Sequence, residues 1–438
     1  MNARLCLLAG ALATALVACG GGGSGGTSSA AAPASASAAS GSAASSGSAT
    51  SSGSSGASST SGTSSTSTAS NTGSVAQSTT PNVLSIAVAS TPTSTRNMLM
   101  ASVTVCVPGT STCATVDNVQ VDTGSQGLRL LASALPAGFA LPVVTAGSGT
   151  DPAGSCAAFG SGYTWGAVRS ADVKLAGEVA AALPIQLIAD PSVPTIPSVC
   201  KGFGLAMINS TALRSNGILG VGPFGADCGA SCVNQPNSSW YYACPSGNCT
   251  PSAQPLAQQV SNPVAAFATD NNGVVIDLPA ISSTGSSTVS GSLIFGIGSQ
   301  ANNTLGGATV LRGNSVTGFV STTTSDGTVY SQSYIDSGSN GFFFANTTLT
   351  RCGVWFCPSS PQSLGATLKG VDGVTAAASL SVASATTLFA TGNWAFNNLA
   401  GYNGSAFGWG LPFFFGRRVY TAIEAQTTPA GAGPFYAF

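Results

Sequence analysis

Two short stretches of this chain could together do acid–base chemistry. Val121-Asp122-Thr123-Gly124-Ser125-Gln126-Gly127 and Ile335-Asp336-Ser337-Gly338-Ser339-Asn340-Gly341 share one frame: an apolar residue, Asp, a small hydroxyl, Gly, Ser, a variable residue and Gly, followed by an apolar run. Each reads as a strand running into a tight turn and out again, presenting one carboxylate. One such stretch alone is most simply a surface turn, because Asp and Gly are ordinary turn formers. Two matched copies, in a chain with only thirteen acidic residues, point to a pair that works jointly. Hydrolysis of a peptide bond without a metal or covalent intermediate needs one group to take a proton from water and another to give one to the carbonyl oxygen. Two carboxylates held about 3 Å apart supply both, because like charges that close cannot both form and the pair shares one proton.

Bringing two distant turns together demands a large, rigid scaffold. The chain has 438 residues, 6% of them charged, and a net charge of −1. It is long enough for a sizeable core and has no basic patch to hold nucleic acid. It contains no histidine, which excludes the Ser-His-Asp triad, the Cys-His pair and every His-containing metal site. Any catalysis falls to carboxylates, with no cofactor or metal. Gly, Ser, Thr and Val are abundant and long amphipathic helical patterns scarce, so the folded part reads as all-β, or mainly β.

Residues 1–18 carry Arg4 and an apolar run from Leu5 to Val17, ending Leu16-Val17-Ala18-Cys19. This reads as a secretory signal with a lipobox; a transmembrane helix is disfavoured, because the run is short and small residues flank its end. The resemblance to bacterial lipoprotein signals implies that Cys19 becomes the first mature residue, bearing a diacylglycerol thioether and an amide-linked acyl chain, enough for stable anchoring. Gly20 rather than Asp after it favours, in a cell with two membranes and by analogy with known sorting, the outer membrane of the cell envelope. Residues 19–80 are almost only Gly, Ser, Ala and Thr and read as a disordered tether. About sixty such residues reach roughly 45 Å, so the domain hangs clear of the lipid.

From Pro81 the pattern changes. Asn82 to Val107 alternates as strands do, and Cys106 and Cys113 flank the turn signal Pro108-Gly109, which fits a hairpin closed by a disulfide. Ala114 to Val121 alternates again and delivers Asp122. On the two Asp frames, the chain resembles the pepsin-like aspartic proteases, whose lobes each contribute one D-[TS]-G-[ST] loop to a shared cleft. Among bacterial proteins it looks most like a group of Gly/Ser-tethered lipoproteins carrying both motifs.

The resemblance implies a bilobal pepsin-like acid protease fold with pseudo-twofold lobes, residues 81–285 and 286–438, with Asp122 and Asp336 catalytic. Thr123, Gly124, Ser125, Ser337, Gly338 and Ser339 take supporting roles: Gly124 lets the backbone turn, Ser125 donates to the outer oxygen of Asp122, and Thr123 ties the loops together. Phe159-Gly160-Ser161-Gly162-Tyr163-Thr164-Trp165-Gly166 looks like the flap hairpin that closes over substrate, making Phe159, Gly160, Tyr163 and Trp165 substrate-binding candidates. Here the sequence departs twice. Phe159 stands where the family carries a tyrosine, so that Tyr163 or Trp165 would take the polar aromatic role, unless the stretch is an ordinary Gly-rich hairpin with buried aromatics. Arg129 stands where many eukaryotic members have an aromatic residue that orients the flap.

Asn216-Gly217-Ile218-Leu219-Gly220-Val221-Gly222 matches the segment that packs under the first Asp loop, and Trp409 to Tyr420 the late segment that supports the second; an exposed aromatic run is the alternative for the latter. The strands at 273–278 and 291–298 resemble those linking the lobes. Asp326-Gly327 is a hairpin turn. Setting aside Cys6 and Cys19 leaves ten of the twelve cysteines. Cys106 pairs with Cys113, Cys352 with Cys357 and Cys156 with Cys200, while Cys228, Cys232, Cys244 and Cys249 nest in one inserted loop with open connectivity. Those four could bind zinc, but a secreted context favours disulfides.

The reading is therefore a monomeric, surface-anchored aspartic endopeptidase acting on peptides or proteins. Its rivals are a pepsin-like lipoprotein that binds or inhibits without cutting, motivated by Phe159 and Arg129, and an adhesive β-domain in which Asp122 and Asp336 lie far apart.

Overall fold

The computed structural model describes residues 80–438; the signal at 1–18, Cys19 and all but the last residue of the tether lie outside the described residues. Strands form where the sequence alternates. Val83–Val88 places alternate side chains in the core, as a strand buried on one face must. Cys113–Asp122 begins as a partly exposed hairpin arm and ends in four buried positions, so that Asp122 arrives at an enclosed strand end.

That strand pairs antiparallel with Leu99–Cys106 and parallel with Gly217–Val221. After the loop, Gln126–Leu131 returns on the far side of Gly217–Val221 and antiparallel to it, so the third strand lies between the strand in and the strand out. The second half repeats this arrangement. Val329–Ile335 runs in parallel to Phe407–Trp409, and Phe342–Phe344 leaves antiparallel to the same strand. The units that carry the two Asp loops are thus topological copies, and the mainly β, two-lobed, pseudo-twofold fold expected from the sequence is the one observed. Glycines permit the crossing: a Cβ on Gly220 would lie 2.7 Å from the Gln126 carbonyl carbon, and one on Gly410 would lie 2.1 Å from the Gly341 oxygen.

A run of six strands joins material from both halves. In spatial order these are Val83–Val88, Val289–Phe295, Gly273–Leu278, Arg417–Ala422, Phe435–Ala437 and Val310–Arg312. In the first half, Ala153–Phe159 and Gly162–Leu175 form the flap-like hairpin. It is paired on both outer edges, by Tyr241–Ala243 and by Glu178–Ile188. The disulfide Cys156–Cys200 fastens it further.

Cys106–Cys113 and Cys352–Cys357 also pair as expected. The four-cysteine loop does not nest. It holds two consecutive short bridges, Cys228–Cys232 and Cys244–Cys249, and these disulfides exclude the zinc alternative.

The aromatic run after Trp409 is interior. Phe413 and Phe414 are fully buried, Trp409 stacks on Phe407 with ring centroids 4.6 Å apart, and its indole N–H donates to Thr322 Oγ1 at 2.9 Å. Phe407 stacks in turn on Phe344, which follows the second Asp loop, at 5.2 Å. The aromatic column therefore backs the strands that carry Asp336. We expect Trp409→Ala to lower the unfolding free energy by about 3–5 kcal/mol in denaturant titration, the cost of truncating a fully buried Trp, and a loss below ~1 kcal/mol would show that the column is not a rigid support.

Candidate active site

The two loops meet, and each is built by the same local hydrogen bonds. Asp122 accepts the Gly124 N–H on Oδ1 at 2.8 Å and the Ser125 hydroxyl on Oδ2 at 2.5 Å. Asp336 accepts the Gly338 N–H on Oδ1 at 2.7 Å and the Ser339 hydroxyl on Oδ2 at 2.6 Å. Each carboxylate is therefore oriented by its own turn.

The turns are then locked to each other. The Thr123 N–H donates to Ser337 Oγ at 3.1 Å, and the Ser337 N–H donates to Thr123 Oγ1 at 3.0 Å. Each hydroxyl then donates onward into the opposite strand, Ser337 to the Val121 carbonyl at 2.9 Å and Thr123 to the Ile335 carbonyl at 3.3 Å. Both residues are fully buried. This reciprocal exchange satisfies the backbone groups at the crossing, which would otherwise be costly to enclose.

The glycines serve a different purpose from the expected one. Gly124 has no left-handed backbone angle that would require glycine. What requires it is the opposite carboxylate: a Cβ on Gly124 would sit 2.6 Å from Asp336 Cγ, and one on Gly338 would sit 2.5 Å from Asp122 Oδ1. Each glycine makes room for the other loop's acid. Asp122 lies within hydrogen-bonding reach of Asp336, whose carboxyl is pushed well above the usual carboxylate range, first by burial and then by the Asp122 charge, against the pull of Ser339 and Gly338. Asp122 is buried and Asp336 keeps partial exposure, so solvent reaches the pair. Such an arrangement can hold one proton in common and act as acid and base together.

The remaining candidates divide. Phe159 is half-buried and Gly160 exposed at the hairpin tip. Tyr163 and Trp165 are instead 3% and 2% exposed, in an apolar cluster with Cys156, Cys200 and Tyr242. The Trp165 indole donates to the Val193 carbonyl at 2.8 Å, so the pair expected at the substrate is spent on the core, the alternative of buried aromatics. Arg129 is also interior. Its guanidinium pairs with Asp227 at 2.9 Å and donates to Gln186 Oε1 at 3.2 Å, while the Tyr241 hydroxyl donates to Asp227 at 2.5 Å. Its charge is met by the Asp227 carboxylate.

Sequence reasoning missed Gln120 and Asn97, both buried, whose amides reach the second Asp loop across the midline. The available signal was a Gln between Val119 and Val121 at a strand end that must be enclosed, because a buried amide needs a partner.

No curated protein matches the chain. Among solved structures, an aspartic proteinase from Irpex lacteus is similar at 15% identity, over 81% of this chain and 96% of its own, with a TM-score of 0.48. A family model described as "Protein of unknown function (DUF3443)" matches residues 78–438, the whole of the described region. The chain that carries these two interlocked Asp loops belongs to the DUF3443 family.

Proposed function

We propose that the chain is an aspartic endopeptidase, hydrolysing peptide bonds in peptide or protein substrates with Asp122, Asp336 and a water, and held at the bacterial cell envelope by lipid on Cys19. The observation that carries the reading is the mutual approach of the two acids through Gly124 and Gly338, each acid oriented by its own Ser and Gly donors.

The chemistry follows from the shared proton. With Asp336 raised by burial and by its neighbour, the pair carries one proton through the acid range. The ionised member takes a proton from water as its oxygen attacks the carbonyl carbon, and the protonated member gives its proton to the carbonyl oxygen. The member that now carries the water's proton gives it to the nitrogen as the C–N bond breaks, the other member takes a proton from a hydroxyl of the tetrahedral carbon, and the pair ends with one proton as it began. Arg129, on the strand that leaves the first Asp loop, has its charge met by Asp227. An extended substrate would pass under Phe159 and Gly160, meeting an apolar ring where the pepsin-like aspartic proteases it resembles carry a tyrosine hydroxyl.

Three outcomes follow. Asp122→Asn and Asp336→Asn should each reduce cleavage of a broad peptide mixture at acid pH by about 10²–10⁴-fold, and pepstatin should block the parent; an Asp122→Asn variant that cuts as fast as the parent sinks the proteolytic reading. Stability should respond to the same pair. Asp336 is raised in the folded state, so below the unfolded value of about 4 both states are protonated and the acid costs nothing, whereas above it ionisation is increasingly resisted by the fold. Asp336→Asn should therefore gain stability over the parent as pH rises above about 4, and a difference independent of pH, read from urea midpoints, would refute the shared site. Finally, labelled palmitate should enter the full chain and not Cys19→Ser; equal labelling would exclude that anchor.

A further inference from the structure

Two amides from the first half hold the second Asp loop from its far side. Gln120, two residues before Asp122, donates from Nε2 to the Gly338 carbonyl at 2.8 Å. Asn97 donates from Nδ2 to the Asn340 carbonyl and to the Phe396 carbonyl, both at 2.9 Å, while its Oδ1 accepts the Phe396 N–H at 2.7 Å. The backbone of Asn97 is left-handed, with φ of 54°, a conformation that Asn tolerates better than most residues. The Asn340 amide answers by donating to the Arg96 carbonyl at 3.2 Å.

The two carbonyls pinned in this way, Gly338 and Asn340, bracket Ser339. Ser339 is the residue whose hydroxyl orients Asp336 Oδ2, and Gly338 supplies the N–H to Oδ1. The Thr123–Ser337 exchange fixes the loop at its base; Gln120 and Asn97 fix the arm that aims the carboxylate. In the second half the place of Gln120 is taken by Tyr334, an aromatic ring packed beside Phe319 with centroids 6.2 Å apart.

We propose that Gln120, assisted by Asn97, is a positioning residue that sets the distance between Asp336 and Asp122 and thereby how strongly the two acids share a proton. Its catalytic consequence rests on the proteolytic reading above, but its physical consequence does not. Losing the amide removes the Gln120 bond to the Gly338 carbonyl, the loop relaxes away from the first half, and the like-charge coupling falls with separation. Tyr436 also faces Asp336; burial and then the Asp336 charge push its hydroxyl up, so it stays protonated while the acids titrate.

The test uses the full chain with ¹³C-labelled aspartate carboxyls, assigned through Asp122→Asn and Asp336→Asn, alongside peptide-cleavage kinetics. In Gln120→Met the two dyad titrations should draw together by about one pH unit or more. Its kcat should fall about 10–100-fold, as for a misplaced group, with KM within about twofold. Gln120→Glu keeps the shape and reports even if the Met variant fails to fold: protonated, it donates to the Gly338 carbonyl and kcat approaches the parent value, whereas ionised it repels that oxygen and kcat falls at lower pH than in the parent. A Gln120→Met protein with parental titrations and kcat, or a Gln120→Glu protein with the parental pH profile, overturns the inference. If nothing is cleaved by the parent, yet Gln120→Met still brings the titrations together, the brace stands and the proteolytic reading falls.

Discussion

Two carboxylates repel, and the structure is organised around preventing them from separating. Gly124 and Gly338 remove the side chains that would keep Asp122 and Asp336 apart, and each glycine makes room for the acid of the other half. The repulsion is contained by the exchange between Thr123 and Ser337, a closed set of hydrogen bonds away from water. Such bonds are worth little individually in solvent, but breaking one here strands a buried partner. Close approach and interlocking therefore support one another. Neither half can shift without disturbing both turns.

Around this symmetric centre the halves differ. The first carries the flap-like hairpin, paired along both edges and tied by Cys156–Cys200, and beyond it the loop stapled by Cys228–Cys232 and Cys244–Cys249. The second carries the aromatic column of Phe344, Phe407, Trp409 and Phe413. A hairpin built into a sheet with Tyr163 and Trp165 pointing inward is stiffer than a free two-stranded arm, because isolated hairpins are only marginally stable. The buried pair Arg129–Asp227 belongs to this stiffening: it joins the strand leaving the first Asp loop to the stapled loop, and the Tyr241 hydroxyl satisfies the other carboxylate oxygen.

What could be read from the sequence was local or repeated. The twofold Asp frame stood out because the same residues recur at the same spacing, and Cys106–Cys113 because a turn signal lies between the cysteines. The strands under each loop were recognisable by their glycines. What could not be read depends on distant partners. Alternation along Tyr163-Thr164-Trp165 does not say which face is inside once a neighbouring segment covers the hairpin, and Tyr163 makes its backbone bond to Leu205. Gly124 looked like a turn residue because the acid that crowds it lies more than two hundred positions away. Gln120 and Asn97 were silent for the same reason, their acceptors being in the other half of the chain.

The exchange between Thr123 and Ser337 also governs when the centre can exist. A nascent chain that has emerged only as far as the first loop owns one acid, one hydroxyl and a glycine facing nothing; the counterpart is supplied more than two hundred residues later in synthesis. Assembly is consequently all or none. A polypeptide that ends before the second loop lacks the partner with which the first makes its exchange, and the paired acids cannot form within it.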